Sequence, residues 1–196
     1  MELSEVKIHH HFKIYKPYGY LSQLESNAHH QKNSKFLGDL FEFPDGIMAI
    51  GRLDKDSEGL LLLTTDGQTS YKISATSIEK EYYVQVDGSI TDQAILSIRQ
   101  GVVISIEGIS YKTQPCQAQI INVPTLPERA KRVRNSRHGE TSWVSITITE
   151  GKFRQVRKMT AAVGFPTLRL VRVRIGINCL DAMQPFDVIE VSSFFE

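Results

Sequence analysis

The clearest pattern along the chain is a pair of short apolar runs that enclose a charged loop. Residues 46–50 (GIMAI) lead into the loop, and residues 60–65 (LLLLTT) lead out of it. Runs of this length that are bounded by Gly or Asp-Gly are typical of strands buried on both faces. The pattern therefore predicts two buried strands that present the polar loop rigidly. Because Gly51 and Gly59 lack a Cβ, another backbone or a ligand can approach the ends of the loop closely.

Alternating and helical spacings predict the remaining elements. Strands are expected at 6–15, 79–88, 141–150 and 167–175, with two or three more between 101 and 123. Helices are expected at 68–75, 91–99 and 155–164, with Thr91 as an N-cap and Gly164 as a stop. In the strand at 167–175, alternation predicts that leucines face inward while Arg169, Arg172 and Arg174 project.

The charge is distributed very unevenly along the chain, although the net charge is only +1. Residues 129–174 contain twelve Lys/Arg and two acidic residues, a net charge of +10, and the remainder carries −9. This asymmetry indicates a polyanionic partner for one face. A loop without acidic residues is a good source of phosphate contacts; its five cations are Arg129, Lys131, Arg132, Arg134 and Arg137.

Several classes of site and location are not favoured by the sequence. There is no apolar run near ~20 residues, as a membrane span requires, and no signal-peptide pattern at the N-terminus. Cys116 and Cys179 fit no metal spacing, so we expect a cytoplasmic protein with free thiols. His9, His10 and His11 are consecutive strand residues that point to alternate faces, so no metal site is expected there.

Three motifs, taken together, resemble those of the pseudouridine synthases. The first is the central loop, Arg-Leu-Asp followed by Ser-Glu-Gly and leucines; the others lie at 80–84 (KEYYV) and at 151–166, with Gln-Val-Arg and Gly-Phe-Pro. The likeness runs from about Lys16 to the end of the chain and is greatest to the ribosomal branch of the family. It implies an α+β fold with a mixed, largely antiparallel sheet in two lobes and an active cleft between them. Most of that branch carries a separate N-terminal RNA-binding module of the S4 type, but only about fifteen residues precede Lys16, so we expect a monomeric, single catalytic domain without that module.

The resemblance assigns roles to particular residues. Asp54 would be the essential aspartate, Tyr82 would stack on the target base, and Arg157 would pair with Asp54 and keep it ionised. The implied reaction converts a uridine of ribosomal RNA, most simply 23S rRNA, to pseudouridine after base flipping and without a cofactor or metal. Besides the basic loop, RNA contacts are expected from Arg52, Arg154, Gln155, Lys158, Arg169 and Arg172.

The residues by themselves leave two other functions open. A non-catalytic RNA-binding factor for ribosome assembly would use the same basic residues and would have no use for Asp54. A hydrolytic glycosidase could use Asp54 and Asp56, whose carboxylates could reach the ~5 Å separation of retaining enzymes. No sugar-binding aromatic platform accompanies those two carboxylates. Tyr82, taken by itself, would be explained as an ordinary aromatic residue of a strand.

Overall fold

The computed structural model describes residues 8–25, 33–75, 77–133 and 138–195. Within these ranges the strands are β1 His11–Lys16, β2 Met48–Ile50, β3 Glu58–Thr64, β4 Lys80–Asp87, β5 Val103–Ile106, β6 Ile109–Lys112, β7 Gln117–Ile121, β8 Thr141–Ile148, β9 Thr167–Ile175, β10 Asn178–Cys179 and β11 Val188–Val191. The helices are α1 Gly67–Ser74, α2 Asp92–Gln100 and α3 Gln155–Ala162, with a short 3-10 turn at Leu37–Asp39. Across the described residues, no helix is long and apolar enough to cross a membrane.

Nine of these strands form one mixed sheet. Its order is β11-β1-β3-β9-β4-β8-β7, with β2 added on β3 and β10 on β9. Among the pairings of the described strands, β3–β9 alone is parallel, and β5 and β6 form a separate hairpin. The predicted α+β fold with a largely antiparallel sheet is therefore confirmed.

Apolar side chains pack in three clusters that divide the sheet into two halves. One cluster packs α2 and α3 against β4 and β8, with Val84, Ile98 and Met159 at its centre. The other two cover opposite faces of β3, because its leucines at 60 and 62 enter one cluster and those at 61 and 63 the other. The two expected lobes are thus the two halves of one continuous sheet, with β9 between them.

The central loop connects β2 to the start of β3, and β3 pairs with different strands at its two ends. The first residues of β3, Glu58 and Gly59, pair with β9, and its last three residues pair with β2. Gly59 has φ +104°, and a Cβ there would lie 2.3 Å from the carbonyl oxygen of Arg172. The expected close backbone approach is therefore present, and it holds the end of the loop against β9.

Some predicted elements differ from the observed ones. All seven residues of β3 are buried as expected, but the prediction for β2 is wrong because β2 lies beside the end of β3 and leaves Met48 38% exposed. Strand β1 begins at His11, after residues 8–10, and Ile8 is exposed; residues 6 and 7 of the predicted strand lie outside the described residues. The three predicted helices are found, and Thr91 caps α2 by accepting from the Ala94 N–H at 3.2 Å.

The prediction for the arginines of β9 is also wrong. Arg169 is 8% exposed and Arg172 is 4% exposed, so neither projects into solvent. Both faces of β9 are covered, because Leu170 packs into the cluster around α2 and α3 and Val171 packs into one of the clusters on β3. Arg174, nearer the end of the strand, is half-buried and pairs with Glu79 and Glu81.

Candidate active site

The central loop, strand β4 and the start of α3 enclose a cavity of about 260 Å³. All three sequence motifs contribute to its wall, although the loop and α3 lie about a hundred residues apart in the chain. The charged and aromatic side chains on the wall include those of Arg52, Asp54, Lys80, Tyr82, Lys152, Arg154, Arg157 and Arg172. The structure thus brings Asp54, Tyr82 and Arg157 to one site.

The Asp54 carboxylate lies between two guanidinium groups. Its Oδ2 atom is 3.3 Å from Arg154 Nη1 and 3.9 Å from Arg157 Nε. Arg157 Nη2 instead donates to the backbone oxygen of Asp56 at 2.7 Å and to Ser57 Oγ at 3.1 Å. The expected pairing of Arg157 with Asp54 is therefore an ion pair without a direct hydrogen bond. Arg157 also fixes the backbone of the loop that carries Asp54.

Burial modifies the chemistry of Arg157. Its Nε atom is buried and has no hydrogen-bond partner among the described residues, and Asp54 Oδ2 lies just beyond bonding distance. Burial is the main reason that the pKa of Arg157 lies below its ordinary value, and the Asp56 carboxylate opposes that shift. This unpaired donor can donate to the Asp54 carboxylate after a movement of about 1 Å.

Arg154 is bound mainly to Asp56, a pairing that the sequence analysis did not predict. Two parallel hydrogen bonds of 2.9 Å join Arg154 Nη1 and Nη2 to the two carboxylate oxygens of Asp56. These bonds are the main reason that the pKa of Asp56 lies below its usual value. Arg154 immediately precedes α3 and has φ +53°, in the left-handed region. The only sequence signal for this cluster was that each motif carries two charged residues of one sign: Asp54 and Asp56 in the central loop, and Arg154 and Arg157 at the start of α3.

Tyr82 supplies the apolar wall of the cavity. It lies on β4 opposite Arg172 of β9 and packs in one cluster with Leu53 and Val156. Lys80 precedes it on the same strand and donates to the Thr149 carbonyl oxygen at 3.0 Å. Burial, and then the nearby Arg172, lower the pKa of Lys80. An aromatic surface in a cationic cavity suits a planar base attached to a phosphate backbone.

Residues 16–22, at and just after the end of β1, brace the backbone around Asp54. Ser22 Oγ donates to the Leu53 carbonyl oxygen at 2.7 Å and accepts from the Leu53 N–H at 2.9 Å. The Gly19 N–H donates to the Lys55 carbonyl oxygen at 2.8 Å. Lys16 is fully buried and closes the turn through its Nζ, which donates to the carbonyl oxygens of residues 17 and 20. The backbone is therefore fixed on both sides of Asp54.

The residues expected to contact RNA separate into exposed and buried groups. Arg52, Lys131 and Arg132 are exposed. Arg129 is half-buried; its guanidinium lies 4.5 Å from the centre of the Tyr18 ring, and it donates to the Leu168 carbonyl oxygen. Lys158 donates to the Ser105 carbonyl oxygen and lies over the Phe153 ring. Arg134 and Arg137 lie outside the described residues.

Burial corrects the expectation of a surface contact for three of those residues. Gln155 is buried, donates to Glu150 at 2.7 Å and lines the cavity rather than the exposed surface. Arg169 donates two bonds of 3.1 Å to the buried Glu58 carboxylate, which rules out a surface contact. Arg172 donates through Nε to the Leu60 carbonyl oxygen and lines the cavity rather than the surface.

Metal-ligating side chains do not cluster in the part of the chain that the structure describes. No group of three or more His, Cys, Asp or Glu side chains there could hold a metal ion. The arrangement offers a carboxylate, two guanidinium groups and an aromatic surface, which together can act on a sugar or a base held in the cavity.

Comparison with known proteins agrees with this geometry. The family model described as RNA pseudouridylate synthase matches residues 10–162. The chain is 42% identical to ribosomal large subunit pseudouridine synthase E of Vibrio parahaemolyticus, over 87% of this chain and 68% of the relative. Identity is also 42% to the protein of the same name from Xanthomonas axonopodis pv. citri, over 87% of each chain. A crystal structure of a pseudouridylate synthase superposes with a TM-score of 0.75 at 25% identity, covering 97% of this chain and 73% of that one. The chain therefore belongs to the RNA pseudouridylate synthase family.

Proposed function

We propose that this protein isomerises a uridine of large-subunit ribosomal RNA to pseudouridine, and that it does so in the cytoplasm. The observation that carries the proposal is the meeting of Asp54 with the Arg154 and Arg157 guanidinium groups and Tyr82 in one cavity. The two relatives described above bear names that specify the large ribosomal subunit, which supports 23S rRNA as the substrate.

The reaction requires no component besides the RNA and the protein. The bond between uracil N1 and ribose C1′ breaks, the base turns, and a bond between C5 and C1′ forms. The proton on C5 is lost and a proton is gained at N1, so the product has the same composition as the substrate. The base must first leave its stack, at a cost of a few kcal/mol. The cavity of about 260 Å³ is just under the usual ~300–1,000 Å³ of ligand sites, which suits a single base.

The residues would divide the chemistry as follows. Asp54 acts as an anion at the ribose, either by attack on C1′ or by removal of a sugar proton, and both routes need an ionised carboxylate. The Arg154 and Arg157 guanidinium groups place two positive charges beside that carboxylate, at 3.3 and 3.9 Å. Tyr82 stacks on the flipped uracil and assists the loss of the C5 proton. Arg52, exposed at the mouth of the cavity, contacts phosphate or occupies the space that the base has left.

A hydrolytic glycosidase fits this geometry less well. Such an enzyme needs one carboxylic acid with a raised pKa to protonate the leaving group. The Arg154 hydrogen bonds hold the pKa of Asp56 below its usual value, and Asp54 lies against two guanidinium groups. Neither carboxylate is therefore placed to serve as a general acid.

Release of tritium from rRNA labelled at uracil C5 tests the proposal. The wild-type protein is expected to release tritium, and Asp54→Asn should bind the same RNA and release none. Asp45→Asn removes an exposed carboxylate from another loop and should behave as the wild type. Measurable turnover by Asp54→Asn would end the role given to Asp54. RNA binding by the wild-type protein without tritium release would instead indicate a non-catalytic binding factor.

A further inference from the structure

The four charged groups at the mouth of the cavity are not paired equally. Arg154 directs both terminal nitrogens at Asp56, at 2.9 Å each, and its nearest contact with Asp54 is longer, at 3.3 Å. Arg157 comes no closer than 3.9 Å to Asp54. Asp56 therefore receives the strong two-bond pair, and Asp54 receives two longer ionic contacts.

This inequality matters because Asp54 must react. A guanidinium that binds both oxygens of a carboxylate forms short, strong, geometrically fixed hydrogen bonds. Such a pair on Asp54 would hold its lone pairs and would have to be broken before attack on C1′ or removal of a proton. Longer contacts with the same cations keep positive charge beside the carboxylate without engaging its oxygens in this way.

Arg154 is close enough to hydrogen-bond with Asp54 unless another acceptor holds its guanidinium. Its side chain lies 3.3 Å from Asp54, and its backbone adopts a left-handed conformation that residues other than glycine rarely take. The guanidinium is one-third exposed, so the protein around it does not by itself fix its direction. Asp56 provides the acceptor that fixes it.

We propose that Asp56 is a positioning residue for pseudouridine formation, a role that rests on the proposed function. Asp56 holds the Arg154 guanidinium in a two-bond pair and so prevents Arg154 from forming that pair with Asp54. Asp54 then remains an anion in the field of two cations, with its oxygens available to the ribose.

Asp56→Asn should redirect Arg154 onto Asp54, because an amide oxygen is a weaker acceptor than a carboxylate. We expect turnover at saturating RNA to fall roughly 10- to 100-fold, the effect of one added charge-assisted interaction that must be broken. The Michaelis constant should stay within about threefold, since the RNA-facing residues are unchanged. The acid side of the pH profile should move to lower pH, because the pairing stabilises the Asp54 anion.

The double variant Asp56→Asn/Arg154→Gln gives the decisive comparison. Without the guanidinium, Asp54 is released, so the double variant should be more active than Asp56→Asn alone. If Asp56 only stabilised the fold, adding a second substitution would leave activity the same or lower, and that result would overturn the proposal. Asp45→Asn serves as the matched control for a lost carboxylate.

A crystal structure of free Asp56→Asn tests the inference independently of activity. Both terminal nitrogens of Arg154 should lie within hydrogen-bond distance of the Asp54 carboxylate in that variant. An Arg154 that keeps its wild-type position would refute the positioning role. An inactive wild-type protein would end the proposed function, whereas the crystal structure would still decide whether Asp56 controls Arg154.

Discussion

At the scale of single residues, Arg157 connects the central loop to α3. Its Nη2 atom donates to the Asp56 backbone and to Ser57, while its Nε faces Asp54 at 3.9 Å. Lys at this position would supply one compact charge without the planar set of donors. Arg157→Lys should therefore bind RNA almost normally and lose roughly 10- to 100-fold in turnover, with little change in the pH at which activity disappears. Single-turnover kinetics at saturating RNA would measure this loss.

Arg157→Met should do more, because it removes the cation as well as the hydrogen bonds. The pH below which activity is lost should then move upward, since Asp54 loses part of the charge that favours its anion. Arg99→Lys, an exposed substitution on α2, is the control and should leave both rate and pH profile unchanged. If both Arg157 variants weaken RNA binding and keep full turnover at saturation, Arg157 is a phosphate contact and not part of the catalytic group.

The buried amino group of Lys16 predicts a pH dependence of stability. Burial is the main reason that the pKa of Lys16 falls from 10.5 to about 7, although Glu58, Asp54 and Asp56 oppose the shift. Between those two values the unfolded chain binds the proton and the folded one does not, so stability rises with pH across this interval. From about pH 6 to about pH 9 the free energy of unfolding should rise by up to ~3 kcal/mol more in the wild type than in Lys16→Met. Urea unfolding at both pH values measures this difference, and parallel changes in the two proteins would contradict it.

At the scale of elements, β9 shows where alternation along a sequence misleads. Alternating Leu and Arg predicted one apolar face and one solvated face, but both faces of the strand are covered, since Leu170 and Val171 enter different apolar clusters. Arg169 is tolerated there because the buried Glu58 on the adjacent strand β3 accepts two of its hydrogen bonds. The sequence could not reveal this, because the neighbour of a strand depends on long-range pairing.

Elements defined by local chemistry were predicted more successfully. The three helices follow from helical spacing and from caps such as Thr91, and β3 follows from its uninterrupted leucines. The resemblance of the three motifs to those of the family also predicted that Asp54 and Arg157 meet. The pair of Asp56 with Arg154 was missed because the two residues are 98 positions apart and nothing in either motif specifies which arginine meets which aspartate.

Gly59 is a position where one added carbon should disturb the packing of two strands. Its φ of +104° disfavours a side chain, and a Cβ would lie 2.3 Å from the Arg172 carbonyl oxygen. Gly59→Ala should therefore lower the free energy of unfolding by roughly 2–5 kcal/mol, combining backbone strain with overpacking between β3 and β9. Gly51→Ala is the matched control, since Gly51 also has positive φ, +70°, but nothing lies within 4 Å of its Cβ position.

The Gly51→Ala control should lose only about 1–2 kcal/mol, the cost of the backbone conformation alone. Urea unfolding of both variants and the wild type gives the two values. Equal losses would show that the β3–β9 approach is not tightly packed. In Gly59→Ala, displacement of β3 should also lower turnover, because the same strand holds the end of the loop that carries Asp54.

At the scale of the whole molecule, the positive segment 129–174 is only partly available to RNA. Its charge of +10 includes Arg169, which is neutralised by buried Glu58, and Arg154, which is paired with Asp56. Lys131 and Arg132 lie in the same segment and are exposed. They follow Arg129, whose guanidinium stacks on Tyr18 in the turn that braces the Asp54 loop. The contact of Arg129 with Tyr18 therefore holds the exposed positive charges of Lys131 and Arg132 close to the cavity.

Binding of rRNA should consequently weaken steeply with salt, and Lys131 and Arg132 should account for a measurable part of that dependence. Each phosphate contact on single-stranded RNA contributes a slope of about −0.7 to a plot of log affinity against log salt concentration. Lys131→Ser/Arg132→Ser should therefore reduce the steepness by up to about 1.4 and weaken binding to many RNA sequences alike. Lys72→Ser/Lys112→Ser removes two exposed cations from other elements and should leave the slope at its wild-type value. Filter binding across a range of salt concentrations measures all three slopes. If the two double variants have the same slope, the segment beginning at Arg129 does not face the RNA, and the charge asymmetry along the chain has another cause.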